Sequence, residues 1–163
     1  METPGLAQLV LIVFAAIQTI YYYSKLPERI ASHFGGGGLP DRWTPKGSLF
    51  LTYWVVIGLV LAISIGIPAV LGKLPRRIIN LPHKEYWLSD EKYPETLSIF
   101  RAQFRWFGVI LLSLQVAVFQ MVFQTNLTQT PVLSGWFVLV LIGFALALVF
   151  WGIKFTTTFS KTD

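Results

Sequence analysis

The stretch LFLTYWVVIGLVLAISIGIPAVL, residues 49–71, decides the fold, because it carries no charged side chain over its whole length. A helix needs about 20 apolar residues to cross roughly 30 Å of hydrocarbon. Three more stretches meet the same condition, at residues 6–23, 106–124 and 133–153. The sequence therefore predicts an all-α integral membrane protein, a four-helix bundle that forms a single transmembrane domain over residues 1–163.

The composition excludes several classes of protein. Hydrophobic residues make up 54% of the chain and charged residues 13%, with a mean hydropathy of +0.61. Soluble domains carry roughly 25% charged residues, and disordered chains combine low hydrophobicity with high charge. The absence of cysteine excludes disulfides and thiolate metal sites. The net charge of +5 does not indicate nucleic-acid binding, because the basic residues cluster between the spans.

Lysine and arginine residues are distributed unevenly among the predicted loops. Nine of the 13 lie between the second and third spans or after the fourth, whereas four lie between the first and second. The positive-inside rule therefore predicts that both termini are cytoplasmic. Aromatic residues at the outer ends of the first two spans, among them Tyr22 and Tyr53, are expected in the headgroup layer.

The second span contains small residues at every fourth position. Gly58, Ala62 and Gly66 form a ridge that allows another helix to approach closely, either within this bundle or across a dimer interface. Pro68, near the inner end of the same span, is expected to kink or cap the helix.

The third span is the most polar of the four. It carries Gln115, Gln120 and Gln124, and the last two lie one helical turn apart on one face. An amide in hydrocarbon needs a hydrogen-bond partner, so these side chains are expected to face the bundle interior. They either form hydrogen bonds between helices or line a polar groove for a ligand or partner subunit. Ion-coupled transport is disfavoured, because no span carries a carboxylate or histidine.

The loop between the first and second spans contains many apolar residues. Ser24 is expected to cap a short helix that has Pro27 in its first turn. Ile30 and Phe34 would then lie on one face, and the four glycines that follow would end the helix. Burial of the large apolar side chains favours an ordered outer loop, residues 26–47, packed over the mouth of the bundle.

The cytoplasmic loop, residues 73–105, is expected to end in a helix that continues into the third span. Leu97, Phe100 and Phe104 recur at spacings of three and four residues. This spacing is typical of one face of an amphipathic helix.

Motifs in both loops resemble a known family. The outer loop contains Leu-Pro-x-Arg-Ile-x-x-His-Phe at residues 26–34 and Pro-Asp-Arg-Trp at residues 40–43, with a glycine-containing turn between them. The cytoplasmic loop contains Asn-Leu-Pro at residues 80–82 and Tyr-Trp-Leu at residues 86–88. Together with the spacing of the spans, these motifs resemble the uncharacterised bacterial membrane domain found at the N-terminus of SdpI-type immunity proteins.

This resemblance implies a small non-enzymatic protein of the bacterial cytoplasmic membrane, a binding or protection module that acts through its outer loop. The candidate contact residues are His33, Asp41, Arg42 and Trp43 in the loop and Gln120 and Gln124 in the third span. No cofactor is expected, and one histidine with one aspartate falls short of the three or four ligands of a metal site. The expected partners are the lipid bilayer and either another protein or a second copy of the chain. The alternative function is a structural accessory subunit packed against a larger membrane protein complex.

Overall fold

A computed structural model describes residues 3–162, and this part of the chain is mostly helical. It contains four helices that are long and apolar enough to cross a membrane. They are Thr3–Tyr23 (α1), Lys46–Leu71, Tyr93–Asn126 and Trp136–Phe159. By length and composition, these helices are the four predicted spans of a multi-pass membrane protein.

The second span is not one regular helix. It consists of α2 (Lys46–Leu61), a π-helical turn (Ala62–Gly66) and α3 (Ile67–Leu71). Pro68 explains the irregularity, because proline has no N–H to donate and its ring clashes with the carbonyl group four residues earlier. The disturbance expected at Pro68 therefore takes the form of a widened turn just before it.

The remaining helices are α4 (Lys84–Trp87), α5 (Tyr93–Asn126) and α6 (Trp136–Phe159). α5 is the centre of the bundle, because it packs against α1, the second span and α6. Its buried residues Leu112 and Val116 share a core with Ala15 of α1 and Ile57 of α2. Within α6 Phe159 alone is buried, and a stripe of half-buried residues packs on α5, so the opposite face of this helix is left exposed.

The small-residue ridge of the second span faces outward. Gly58 is exposed, and a Cβ on Gly58 or Gly66 would meet no atom within 4 Å. The prediction that the ridge packs against a helix of the same chain is therefore wrong. The alternative prediction, contact with a helix of another chain, stays a prediction. The spans approach one another closely instead at Gly108 of α5, where a Cβ would overlap the side chains of Ser64 and Gln8.

The loop between the first two spans forms a β-hairpin, so the short helix predicted there is wrong and the fold is not purely α. β1 (Arg29–Phe34) pairs antiparallel with β2 (Pro40–Pro45), and Ile30 lies opposite Thr44. A short helix would have satisfied its backbone groups locally, whereas β1 finds its partners across the glycine turn. Local spacing of apolar residues does not reveal such a partner.

The second loop packs against the ends of α5 and α6. Ile79, Leu81 and Trp87 are buried in a cluster with Phe100 and Phe159. The indole N–H of Trp87 donates a hydrogen bond of 3.0 Å to the backbone carbonyl of Phe159. α5 begins well before the predicted third span, which confirms the amphipathic helical segment expected at the end of this loop.

Candidate binding surface on the hairpin

Asn126, the last residue of α5, holds the hairpin (residues 29–45) against the bundle. Its carboxamide oxygen accepts a hydrogen bond from the N–H of Ala31 at 2.6 Å, and its nitrogen donates one to the Ala31 carbonyl at 2.9 Å. The two residues are 5% and 0% exposed. Because an isolated two-stranded hairpin is marginally stable in water, this contact contributes directly to the position of β1.

The base and the tip of the hairpin are attached as well. At the base, the Lys46 ammonium group donates to the carbonyl of Leu26 at 3.2 Å and pairs with the Glu28 carboxylate at 2.9 Å. At the tip, the N–H of Leu133 donates to the carbonyl of Gly38 at 2.8 Å. Gly38 has a φ of 75°, and a Cβ there would lie 2.6 Å from the carbonyl oxygen of Leu133. Glycine is therefore required at this contact by both its conformation and its size.

β2 presents the predicted contact residues on the open side of the hairpin. Asp41, Arg42 and Trp43 are exposed, whereas Ile30 and Ala31 of β1 are buried. The hairpin therefore brings the four candidate residues of the loop onto two adjacent strands. Ile30 and Ala31 pack against the bundle, whereas His33 of β1 and the three candidates of β2 are exposed.

His33 and Asp41 form a surface pair across the two strands. The His33 Nδ1 and Asp41 Oδ1 atoms are 2.6 Å apart, and the side chains are 62% and 53% exposed. Exposed pairs of this kind contribute about 0–1 kcal/mol to stability, so this pair adds little to the stability of the fold. Within residues 3–162, no three histidine, aspartate or glutamate side chains come together in a group suited to a metal ion.

Gln120 and Gln124, the two candidates in α5, have different surroundings. The Gln120 carboxamide donates to the Tyr22 hydroxyl at 2.7 Å and accepts from the Gln18 carboxamide at 2.8 Å. Gln124 is exposed. The expectation that both would face the bundle interior is therefore wrong for Gln124 and holds for Gln120.

Buried amides and phenols connect the first three spans. The Tyr53 hydroxyl donates to the Gln18 carboxamide at 2.5 Å, and the Gln115 carboxamide donates to the backbone carbonyl of Tyr53 at 2.7 Å. Tyr22 and Tyr53 are 6% and 0% exposed, and their hydroxyl groups bond to the amides of Gln120 and Gln18. Their position in the headgroup layer stays a prediction. The prediction that Gln115 and Gln120 form hydrogen bonds between helices is confirmed.

Asn126 is the important residue that sequence reasoning missed. Its only signal in the sequence is a carboxamide at the end of a long apolar stretch. Its partner, Ala31, lies 95 residues earlier in the chain and contributes backbone groups only. No side-chain pattern reports such a contact, because every residue except proline has the same backbone donor and acceptor.

No curated protein matches the chain, and no solved structure matches it. A family model matches the part of the chain that runs from α1 through the hairpin into α2. The link to SdpI-type immunity proteins stays a prediction. Over residues 10–57, which include all of β1 and β2, the chain is similar to a domain of unknown function (DUF1648).

Proposed function

We propose that this protein is a membrane-anchored, non-enzymatic binding or protection module of the SdpI-like type, in which the exposed strand β2 contacts the ligand. One observation carries the proposal, the contrast between the two strands of the hairpin. Ile30 and Ala31 of β1 are buried, and Ala31 is bonded to Asn126, whereas β2 displays Asp41, Arg42 and Trp43. A strand held in place before binding loses little entropy when a ligand docks on it.

The displayed side chains suit a ligand that combines an anionic group with an apolar surface. The Arg42 guanidinium group offers planar, bidentate hydrogen bonding to a carboxylate or phosphate. Trp43, which is 44% exposed, offers a large ring with one polar edge. Tryptophan and arginine are also enriched among the residues that dominate binding energies. A peptide, lipid or other cell-envelope ligand of this chemistry fits the surface.

The proposal places the hairpin on the outer side of a bacterial cytoplasmic membrane, with both termini inside. The support comes from charge, because nine of the 13 lysine and arginine residues then lie on the cytoplasmic side.

Cysteine labelling tests this orientation. The unmodified chain gives no labelling signal of its own, because it has no cysteine. We expect Gly37→Cys to react with a membrane-impermeant maleimide in intact cells. Lys84→Cys, in the second loop, is expected to react only after the membrane is opened. The reverse pattern would contradict the orientation.

A photoreactive side chain at Leu39 tests binding by β2. Leu39 is 62% exposed and precedes the strand, so illumination of cells is expected to give a discrete adduct. Asp41→Ala or Arg42→Ala is expected to lower the adduct yield roughly tenfold, as for residues that dominate an interface. Membrane abundance is expected to stay unchanged, because both side chains are exposed.

The same photoreactive group at Leu146 is the control, because Leu146 is 65% exposed on α6, away from the hairpin in sequence. An equal adduct yield in the Asp41 and Arg42 variants would contradict binding by β2. A fall in their membrane abundance would show that these residues serve as a structural cap.

A structural accessory subunit of a larger membrane complex is the second candidate. The outward-facing ridge with Gly58 and Gly66 favours it, because small residues permit close contact between helices of different chains. Native mass measurement after mild solubilisation separates the two functions. Large subunits in fixed stoichiometry would support the accessory subunit, whereas a monomer or homodimer would support the binding module.

A further inference from the structure

A cleft of about 450 Å³ lies between the tip of the hairpin and the start of α6. The glycines at 35–38 line one part of it. Ser134, at the end of the preceding loop, and Val138 and Leu141 of α6 line another. The cleft therefore combines exposed backbone with apolar side chains.

Two of these glycines are not required by the rest of the chain. Gly38 is the one glycine with a positive φ in the described residues. A Cβ on Gly36 or Gly37 would meet no atom within 4 Å. Glycine in a loop costs conformational entropy on folding, and one of its uses is to let another molecule approach the backbone closely.

The glycine turn also carries two available hydrogen-bond donors. The N–H of Gly35 donates to the carbonyl of Leu39, and the N–H of Gly38 donates to that of Gly35, both at 2.8 Å. Within the described residues, the N–H groups of Gly36 and Gly37 donate to no other residue. Successive unpaired N–H groups of this kind favour an anionic oxygen such as that of a phosphate.

The apolar part of the cleft belongs to the surface that α6 presents to lipid. Val138 and Leu141 are 56% and 40% exposed, and the most apolar 18-residue stretch of α6 has no buried residue. At about 1.5 Å per residue, Leu141 lies roughly 7 Å from the start of α6 at Trp136. An acyl chain in the hydrocarbon layer around α6 would reach this wall from the side. A soluble phosphate would have no use for the apolar wall.

We propose that this cleft binds one phospholipid, with its phosphate at the N–H groups of Gly36 and Gly37 and an acyl chain along Val138 and Leu141. The site uses different residues from the β2 surface. Its test therefore does not depend on the function proposed for that surface.

Native mass spectrometry of the full chain titrated with phosphatidylglycerol tests the site. We expect a one-to-one lipid adduct whose affinity falls roughly tenfold in Gly36→Val and Gly37→Val, a change of about 1.4 kcal/mol, because the added side chain occupies the cleft. Gly47→Val is the matched control, since Gly47 is exposed, has no atom within 4 Å of its Cβ position and lies outside the cleft. Thermal unfolding of all three variants is expected to match that of the unmodified chain.

Glycerol 3-phosphate, added in place of the lipid, separates a phospholipid site from a site for free phosphate. We expect it to bind at least tenfold more weakly, because it lacks the acyl chain. Equal binding of the two ligands would overturn the proposal. A lipid adduct that persists unchanged in Gly36→Val and Gly37→Val would also overturn it. The same holds if the full chain forms a dimer that these substitutions dissociate, because a second copy of the chain would then occupy the cleft.

Discussion

Replacing Asn126 with alanine is expected to release the hairpin from the bundle and to lower the free energy of unfolding by about 2–4 kcal/mol. If the hairpin stayed docked, the N–H and carbonyl groups of Ala31 would both be buried without their partners. Each such group costs about 1–3 kcal/mol, which exceeds the net gain from an ordinary hydrogen bond. Thermal unfolding in mild detergent measures the loss, and hydrogen exchange over residues 29–45 measures the release of the hairpin.

Gln124→Ala is the control for this change. Gln124 lies on the same helix, two residues before Asn126, and is exposed. Its removal is expected to shift stability by less than about 0.5 kcal/mol, as for other surface positions. If Asn126→Ala left hairpin exchange as slow as before, the two bonds to Ala31 would not be what holds β1.

Gly108→Val is expected to separate α5 from α1 and the second span, at a cost of about 2–4 kcal/mol. A Cβ at this position would overlap the side chains of Ser64 and Gln8. The Gln8 carboxamide donates to the Ser64 hydroxyl and to the carbonyl of Arg105, both at 3.1 Å, and both bonds would be displaced. Overpacking of this kind costs about 1–3 kcal/mol before lost hydrogen bonds are counted. Thermal unfolding followed by tryptophan fluorescence measures the effect.

Gly152→Val is the matched control, because Gly152 is also a glycine within a span and a Cβ there would meet no atom within 4 Å. It is expected to leave the unfolding temperature nearly unchanged. Equal effects of the two substitutions would show that valine lowers stability at any helical glycine and that Gly108 has no special contact.

The spans were predictable because each is a property of a continuous stretch of sequence. Removing apolar side chains from water and satisfying the backbone within one helix depend only on residues that are neighbours in the chain. The amphipathic start of α5 was predictable for the same reason, since Leu97, Phe100 and Phe104 repeat with the period of one helix. The need of Gln115 and Gln120 for partners was predictable, but the identity of those partners was not.

Contacts between distant residues were not predictable. The partner of the Tyr53 hydroxyl group is one example, because the Gln18 carboxamide that accepts its hydrogen belongs to another helix. Packing of the Gly58 ridge against a helix of the same chain was one expectation, but the rotation of the second span points the ridge outward. That rotation depends on how all the spans pack together.

The sequence by itself determined that this protein has four apolar spans, that its polar span residues need partners, and that its lysine and arginine residues lie outside the apolar stretches. Only the tertiary structure decided that the first loop is a hairpin, which strand of it is buried, and that Asn126 holds it. The physical reason is the range of the interactions. Hydrophobicity and helical hydrogen bonds act between near neighbours, whereas β1 depends on β2 across a turn and on a carboxamide 95 residues away.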